Sequence, residues 1–244
     1  WLFQVIGKSK VPIMNSAGGT EVSGSILHCC LHRPFKVGSF NAPIPGMSAD
    51  ILNLDGQKVS TNEMGELVMR KSSIGLTKSL WNDDKRYIDN YWSVIKDYWV
   101  HGDLASRDAD GHWYLHGRSD DTIKVSGKRI GPSELESVII KSGKAKEVAA
   151  VGIPDENKGS KIILSIVPAE NNDQKESFFE DLVIKDLGKS FKPDKVIFVK
   201  DLPKTRNMKI MRRVIKSCLA NQDPGDLSTL LNPESVEEIR SHAI

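Results

Sequence analysis

This chain predicts an α+β fold in two parts, divided near Asp120, on three observations. Between Val37 and about Gly117, short apolar or alternating runs lie between Asp-Gly turn signals, the pattern of strands joined by tight turns. After Asp120 the pattern changes, and helical runs with start and stop signals alternate with apolar strand runs. A length of 244 residues is enough for two domains with a sizeable core.

Residues 1 to about 37 read as a short strand-loop-strand piece that enters a strand-like pattern at Trp1. Ala49-Asp-Ile-Leu-Asn-Leu54 before Asp55-Gly56, Gly65-Glu-Leu-Val-Met-Arg70, and His112-Trp-Tyr-Leu-His116 after Asp110-Gly111 are strands. Pro132 to Lys141 opens on proline, which tolerates the first helical position because its missing N–H has no partner there. It stops at Gly143 and reads as a helix of about ten residues. Two apolar strands follow, Val148 to Ile153 and Ile162 to Val167, separated by the turn Pro154 to Gly159. The polar span Glu170 to Lys175 leads into a helix through Gly188 and then the strand Lys195 to Val199. Pro203 fixes a Pro-Lys-Thr-Arg turn. The helical pattern behind it carries Ile210, Met211, Val214, Ile215, Cys218 and Leu219 on one face, which puts Lys209 at a turn-to-helix junction.

Hydrophobic residues make up 39% of the chain and charged ones 27%, an ordinary globular balance. A net charge of +2 argues against a dedicated nucleic-acid binder, so any phosphate recognition is local. No apolar run approaches the ~20 residues needed to span a bilayer, and Trp1 does not open a signal peptide, so the expected compartment is the cytoplasm. Cys29, Cys30 and Cys218 form no disulfide framework. The Cys29-Cys30 pair beside His28 and His32 reads as structural rather than as a metal site.

The residues that carry chemistry stand in three segments. Leu202-Pro-Lys-Thr-Arg-Asn-Met-Lys-Ile-Met-Arg-Arg213 offers Lys209 to a phosphate; alternatively its five cations, Lys204, Arg206, Lys209, Arg212 and Arg213, are a solvated patch or a nucleic-acid contact. Tyr98-Trp-Val-His-Gly-Asp103 ends on an acceptor-only carboxylate able to take both hydroxyls of a ribose, or to cap a glycine turn. Gly117-Arg-Ser-Asp-Asp-Thr-Ile-Lys-Val-Ser-Gly-Lys-Arg-Ile-Gly131 supplies the donor forks of Arg118 and Arg129. Its Asp120-Asp121 pair lacks a third ligand and reads as a solvated turn.

With Gly18-Gly-Thr-Glu21, Gly65-Glu-Leu67, Val151-Gly-Ile-Pro154 and Gly225-Asp-Leu-Ser-Thr-Leu230, these ordered segments resemble the C-terminal half of acyl-CoA synthetases, most closely the acetyl-CoA synthetase branch of the adenylate-forming enzymes. The resemblance runs nearly end to end. It implies that residues 1–119 are the end of a large α/β N-terminal domain followed by a distorted β-barrel subdomain, and that residues 120–244 are a small mixed α+β lid domain that swings about Asp120. The phosphate loop and adenine-holding segment of the family are not in this stretch. The expectation is therefore a C-terminal fragment, inactive alone, whose first partner is the N-terminal part of its own chain.

The resemblance further implies ATP and AMP, Mg²⁺ and coenzyme A as ligands, with a small carboxylic acid as substrate. Lys209 bridges carboxylate and α-phosphate as the catalytic residue. Thr20 donates to the α-phosphate, Glu21 helps hold Mg²⁺, and Asp103, Arg118 and Arg129 hold the nucleotide. The Ser126-Gly127 loop replaces Lys209 during thioester formation, Gly127 leaving room for a passing pantetheine arm. Lys185 is the nearest candidate for a phosphate of coenzyme A. The family's Arg-Ser-Gly-Lys reads Arg206-Asn-Met-Lys209 here, and Met208 lacks the freedom of glycine. An indole of the acetate branch falls on Gly18, with Gly19 beside it, which implies a wider acyl pocket and an acid larger than acetate. The alternative is a non-catalytic relative that binds nucleotide or a partner.

Overall fold

The computed structural model describes residues 1–170 and 173–244, so part of the polar span expected at Glu170 to Lys175 lies outside the described residues. The chain forms two compact units, residues 1–119 and 120–244.

In the first unit, strands β1 (Ser16–Gly19), β2 (Gly24–His28) and β3 (Ala42–Pro43) make one antiparallel sheet. Strands β4 (Ala49–Leu52), β5 (Gly65–Met69), β6 (Trp99–Arg107) and β7 (Trp113–Arg118) make a second, an antiparallel meander. The three strand runs read from residues 49, 65 and 112 are β4, β5 and β7. Their Asp-Gly signals fall in turns where Gly56 and Gly111 hold φ of +77° and +83°, a region that glycine enters without a Cβ penalty. A short helix α1 (Asp84–Tyr87) and a wider helical turn, Ile88–Trp92, connect β5 to β6. Leu27, Leu67, Met69, Trp99 and Trp113 fill the core under both sheets.

Two expectations fail here. The apolar start is a helical turn, Leu2–Ile6, with its large side chains exposed. A run with no strand beside it has no ladder to join, and its backbone groups bond locally instead, as Val5 N–H does to Trp1 O at 2.7 Å. The distorted barrel is not closed among the described residues. The free edge of β4 is covered by the chain folding back, with a bridge from Leu52 to Lys58. The two sheets are joined through reciprocal Phe40 and Trp113 backbone bonds of 2.9 and 2.7 Å.

The second unit opens with the hairpin β8 (Ile123–Val125) and β9 (Lys128–Ile130), and helix α2 (Pro132–Lys141) follows. Pro132 leads α2, and the Glu134 carboxylate accepts from Gly131 N–H at 3.0 Å, satisfying one of the donors that a helix start leaves open. Strands β10 (Ala145–Asp155) and β11 (Gly159–Pro168) pair antiparallel over their whole length. After α3 (Glu176–Leu187), strand β12 (Lys195–Phe198) joins β11 in parallel. Helices α4 (Arg212–Leu219) and α5 (Glu234–Arg240) complete the chain.

Alternation along the strands sorts the core into two layers. Val148, Ala150, Ile162, Leu164 and Val196 face Leu135, Ile139, Phe179 and Val183 of α2 and α3. Ala149, Val151, Ile163 and Ile197 face Val214, Ile215, Cys218, Val236 and Ile239 of α4 and α5. The sheet is thus buried on both faces, which is why β10 and β11 read as continuous apolar runs. Truncating a fully buried side chain such as Leu135 to alanine costs about 2–5 kcal/mol.

Candidate functional site

In the first unit the site is built on an irregularity of β6. Between Leu104, paired with Glu66, and Val100, paired with Val68, β6 advances four residues while β5 advances two. The surplus lies at His101-Gly102-Asp103, so the strand bulges where the motif stands, and bulges re-aim side chains. Gly102 takes φ +82°, and a Cβ built on it would lie 2.7 Å from the Arg118 guanidinium, so both conformation and space require glycine.

Around that bulge the charges are ordered. Asp103 pairs in register with Arg118 of β7, with 3.6 Å between NH1 and Oδ1, and Arg118 NH1 donates to His101 O at 2.9 Å. Asp103 Oδ2 lies 3.3 Å from His101 Nε2. The His101 ring is buried at 7% exposure. Burial, ahead of the opposing charge of Asp103, pushes its pKa below the ordinary histidine value, so the ring is neutral. Its Nδ1 is buried without a hydrogen-bond partner, which suits a neutral ring with its proton on Nε2.

Thr20 and Glu21 begin a tight turn, Thr20–Val22, at the end of β1, and Thr20 is exposed. The Tyr91 phenol faces the Glu21 side chain. Burial first, and the Glu21 charge next, push the Tyr91 phenol above its ordinary pKa. Tyr91 stacks on Trp99 at 5.2 Å between ring centroids, and Trp99 lies 5.5 Å from the His101 ring. A Cβ on Gly19 would stand 3.0 Å from Glu21 Oε2 and 3.2 Å from His101 Cε1, so the turn and β6 meet there. Glu21, Asp103 and Arg118 therefore form one cluster with Tyr91, Trp99 and His101. The last three had no role in the sequence reading. His101 was within reach, since it stands two positions before Asp103 in the same Trp-Val-His-Gly-Asp motif.

At Gly18 the expected open volume is not found. A Cβ would lie 2.0 Å from Gly24 O and 2.5 Å from Ser25 Cα of β2, so that direction is filled by backbone. Glycine stands at 18 because β1 shifts register against β2 between Ala17 and Gly18.

In the second unit Lys209 is exposed on a turn, not at the helix start. Thr205 N–H donates to Lys209 O at 2.9 Å, Lys209 N–H to Thr205 Oγ1 at 3.2 Å, and Lys204 bridges Ile210. Ile210 and Met211 precede α4 rather than belonging to it. Met208 occupies the left-handed region at φ +61°, where glycine would be unstrained. The turn is anchored from below: Lys204 Nζ is 2.6 Å from Asp201 Oδ1 and 2.7 Å from Glu147 Oε2, and Asn232 Oδ1 accepts from Lys204 N–H at 3.0 Å. Arg212 makes a two-pronged pair with Glu136, at 2.9 and 2.7 Å, and Arg213 donates to the carbonyls of Pro224 and Asp226. Three of the five cations thus hold the fold, and no uniform basic patch exists there.

Ser126 and Gly127 form the two-residue turn of the β8–β9 hairpin, with φ +50° and +81°, the pattern of a type I′ turn. No atom lies within 4 Å of a Cβ built on Gly127, so its backbone, not a crowded neighbour in this chain, calls for glycine. Arg129 is exposed on β9. Lys185, exposed in the last turn of α3, also has a local reason to be basic, the partial negative charge of a helix C-terminus. Asp120 begins the second unit.

The class of protein follows from residues 134–209, which match the AMP-binding enzyme C-terminal domain. Across 98% of its length the chain is 37% identical to acetyl-coenzyme A synthetase of Methanothrix thermoacetophila, covering 37% of that protein. It is 36% identical to that of Pasteurella multocida, again over 98% of its length and 38% of the relative. Acetoacetyl-CoA synthetase from Streptomyces lividans superposes with a TM-score of 0.85 over 99% of this chain and 38% of that one, and its 22% identity makes this a likeness of fold alone. An anthranilate CoA ligase solved with anthranoyl-AMP superposes at 0.69, with 27% identity, over 83% of this chain and 39% of that one. Residues 134–209 thus form an AMP-binding enzyme C-terminal domain, and the chain as a whole is similar to acetyl-coenzyme A synthetases. It spans little more than a third of the length of these relatives.

Proposed function

We propose that the chain supplies the C-terminal part of an AMP-forming acyl-CoA ligase. In the first step a carboxylate oxygen attacks the α-phosphorus of ATP and pyrophosphate leaves. In the second the thiol of coenzyme A attacks the acyl carbonyl and AMP leaves. The observation that carries the reading is the bulge of β6, which sets an acceptor-only carboxylate, Asp103, beside a fixed guanidinium, Arg118. Asp103 accepts from ribose hydroxyls, while Arg118 and Arg129 offer donors to nucleotide oxygens.

Lys209, held out on an anchored turn, offsets the repulsion between the attacking carboxylate and the phosphate. The Ser126-Gly127 turn takes its place in the second step as residues 120–244 swing about Asp120, and Lys185 meets a phosphate of coenzyme A. Mg²⁺ would neutralise phosphate charge. No group of three or more His, Cys, Asp or Glu that could hold a metal occurs among the described residues; Glu21 would be a protein ligand of the ion, and Thr20 would donate to the α-phosphate. The rest of the parent protein supplies the phosphate loop, and the setting is the cytoplasm. No described helix is long and apolar enough to cross a membrane.

The acid is larger than acetate. The support for that size is that Gly18 carries no side chain to wall a pocket, although the space along its Cβ direction is itself taken by β2 backbone. A second reading, a non-catalytic nucleotide- or partner-binding relative, is favoured by Met208 holding a strained conformation beside Lys209. Acid-dependent ATP–pyrophosphate exchange by the full-length parent, with acids from acetate to octanoate, decides between them. Exchange that needs Lys209 and favours longer acids supports the ligase; exchange with acetate alone overturns the size preference; none with any acid leaves the second reading.

A further inference from the structure

His101 is a polar side chain more than nine-tenths buried, and neither nitrogen serves the ladder of β6. Its Nε2 faces Asp103 Oδ2 at 3.3 Å, its backbone carbonyl holds Arg118 at 2.9 Å, and its Cε1 edge abuts the space above Gly19. Two of the three residues that hold the nucleotide in the reading above thus meet at His101, Asp103 at the imidazole and Arg118 at the backbone carbonyl. A leucine or valine would fill such a core position without the cost of an unpartnered Nδ1. The groups around the ring are Trp99 and Asp103 on its own strand, Arg118 on β7, and Glu21 in the turn after β1.

We infer that His101 is a positioning residue for the ribose: its Nε2–H fixes the rotamer of Asp103, so that the free lone pairs of that carboxylate meet the two ribose hydroxyls. The inference rests on the ligase reading for Asp103 and goes beyond it in naming what orients the carboxylate. A hydrogen bond to a charged group is worth enough to shift nucleotide affinity by about 10-fold or more. The residue touches no reacting atom, so its effect belongs in binding of the hydroxyl-bearing sugar and not in chemistry at phosphorus.

The test is steady-state exchange by the full-length parent with ATP and with 2′,3′-dideoxy-ATP, for wild type, His101→Leu, His101→Gln and Asp103→Asn. The expected result is an ATP KM raised about 10-fold in His101→Leu with kcat little changed. Dideoxy-ATP should be used equally poorly by His101→Leu and wild type. His101→Gln, whose amide nitrogen stands near the place of Nε2, should restore most of the loss. The double variant with Asp103→Asn should be no worse than Asp103→Asn alone. Equal losses on ATP and dideoxy-ATP, or no rescue by glutamine, would show a packing role and overturn the inference. If wild type uses both nucleotides alike and Asp103→Asn is silent, the ribose role of Asp103 itself fails, a separate outcome that removes the ground beneath His101.

Discussion

Asp103 and Arg118 face each other in register across β6 and β7, 3.6 Å apart, over a glycine whose missing side chain leaves room for the guanidinium. Gly102→Ala forces a Cβ at 2.7 Å from Arg118 in a backbone of φ +82°. It should destabilise the first unit by about 1–3 kcal/mol. Arg118→Gln should leave stability within ~1 kcal/mol, because the pair is half exposed on the arginine side, while weakening nucleotide use. Urea unfolding beside nucleotide titration separates the two; a silent Gly102→Ala would refute the spatial argument.

His101 makes stability depend on pH. Burial lowers its folded pKa below the unfolded value near 6.5, so the unfolded chain binds the proton more readily. The stability this represents is complete above about pH 6.5 and is lost as pH falls toward the folded pKa. The urea midpoint of the transition that reports Trp99 should fall between pH 7 and 5 in the wild type and flatten in His101→Gln. Equal slopes in the two proteins would count against a buried neutral ring.

Met208 should respond to shape rather than to polarity. Its left-handed conformation costs a non-glycine residue roughly 1–2 kcal/mol. Met208→Gly relieves that strain against glycine's larger unfolded-state entropy and should be neutral or stabilising. Met208→Val, branched at Cβ, should cost about 1 kcal/mol. Thermal melts of both variants decide this.

Lys204 and Lys209 lie five positions apart and should behave oppositely. Lys204→Met leaves Glu147 and Asp201 facing each other without their shared cation and should destabilise by about 2–4 kcal/mol. Lys209→Ala, on an exposed turn, should stay within ~0.5 kcal/mol of wild type yet abolish exchange. A folded, active Lys209→Ala parent would remove the lysine from the mechanism.

Gly127 offers a cleaner discrimination. Asparagine tolerates positive φ, and open space surrounds the position, so Gly127→Asn should fold normally and exchange pyrophosphate normally. If a pantetheine arm passes there, only thioester formation should slow, measured as acyl-CoA release at saturating ATP.

Period and punctuation made much of the fold legible. Pro132 and Gly143 bracket α2, the alternating runs give β4, β5 and β7, and the apolar runs give β10 and β11. The apolar start misled, because the same residues suit a strand only where another strand offers a ladder. Helix α5 went unread: it is seven residues long and begins behind Asn232-Pro233 without a strong apolar period. The β8–β9 hairpin went unread as strands because each is three residues long.

Local sequence carried the types of chemical group: a carboxylate ending Trp-Val-His-Gly-Asp, a guanidinium after Gly117, and a lysine behind a proline turn. Those follow from residue identity and near spacing, which one dimension records. Tertiary structure alone decided that β6 bulges at His101-Gly102-Asp103, that Tyr91 reaches Glu21 across seventy positions, and that Lys204, Arg212 and Arg213 are spent on the fold while Lys209 stands clear. The physical reason is that strand register, burial and ion pairing depend on distances in space between residues far apart in the chain, and neither composition nor periodicity encodes those distances.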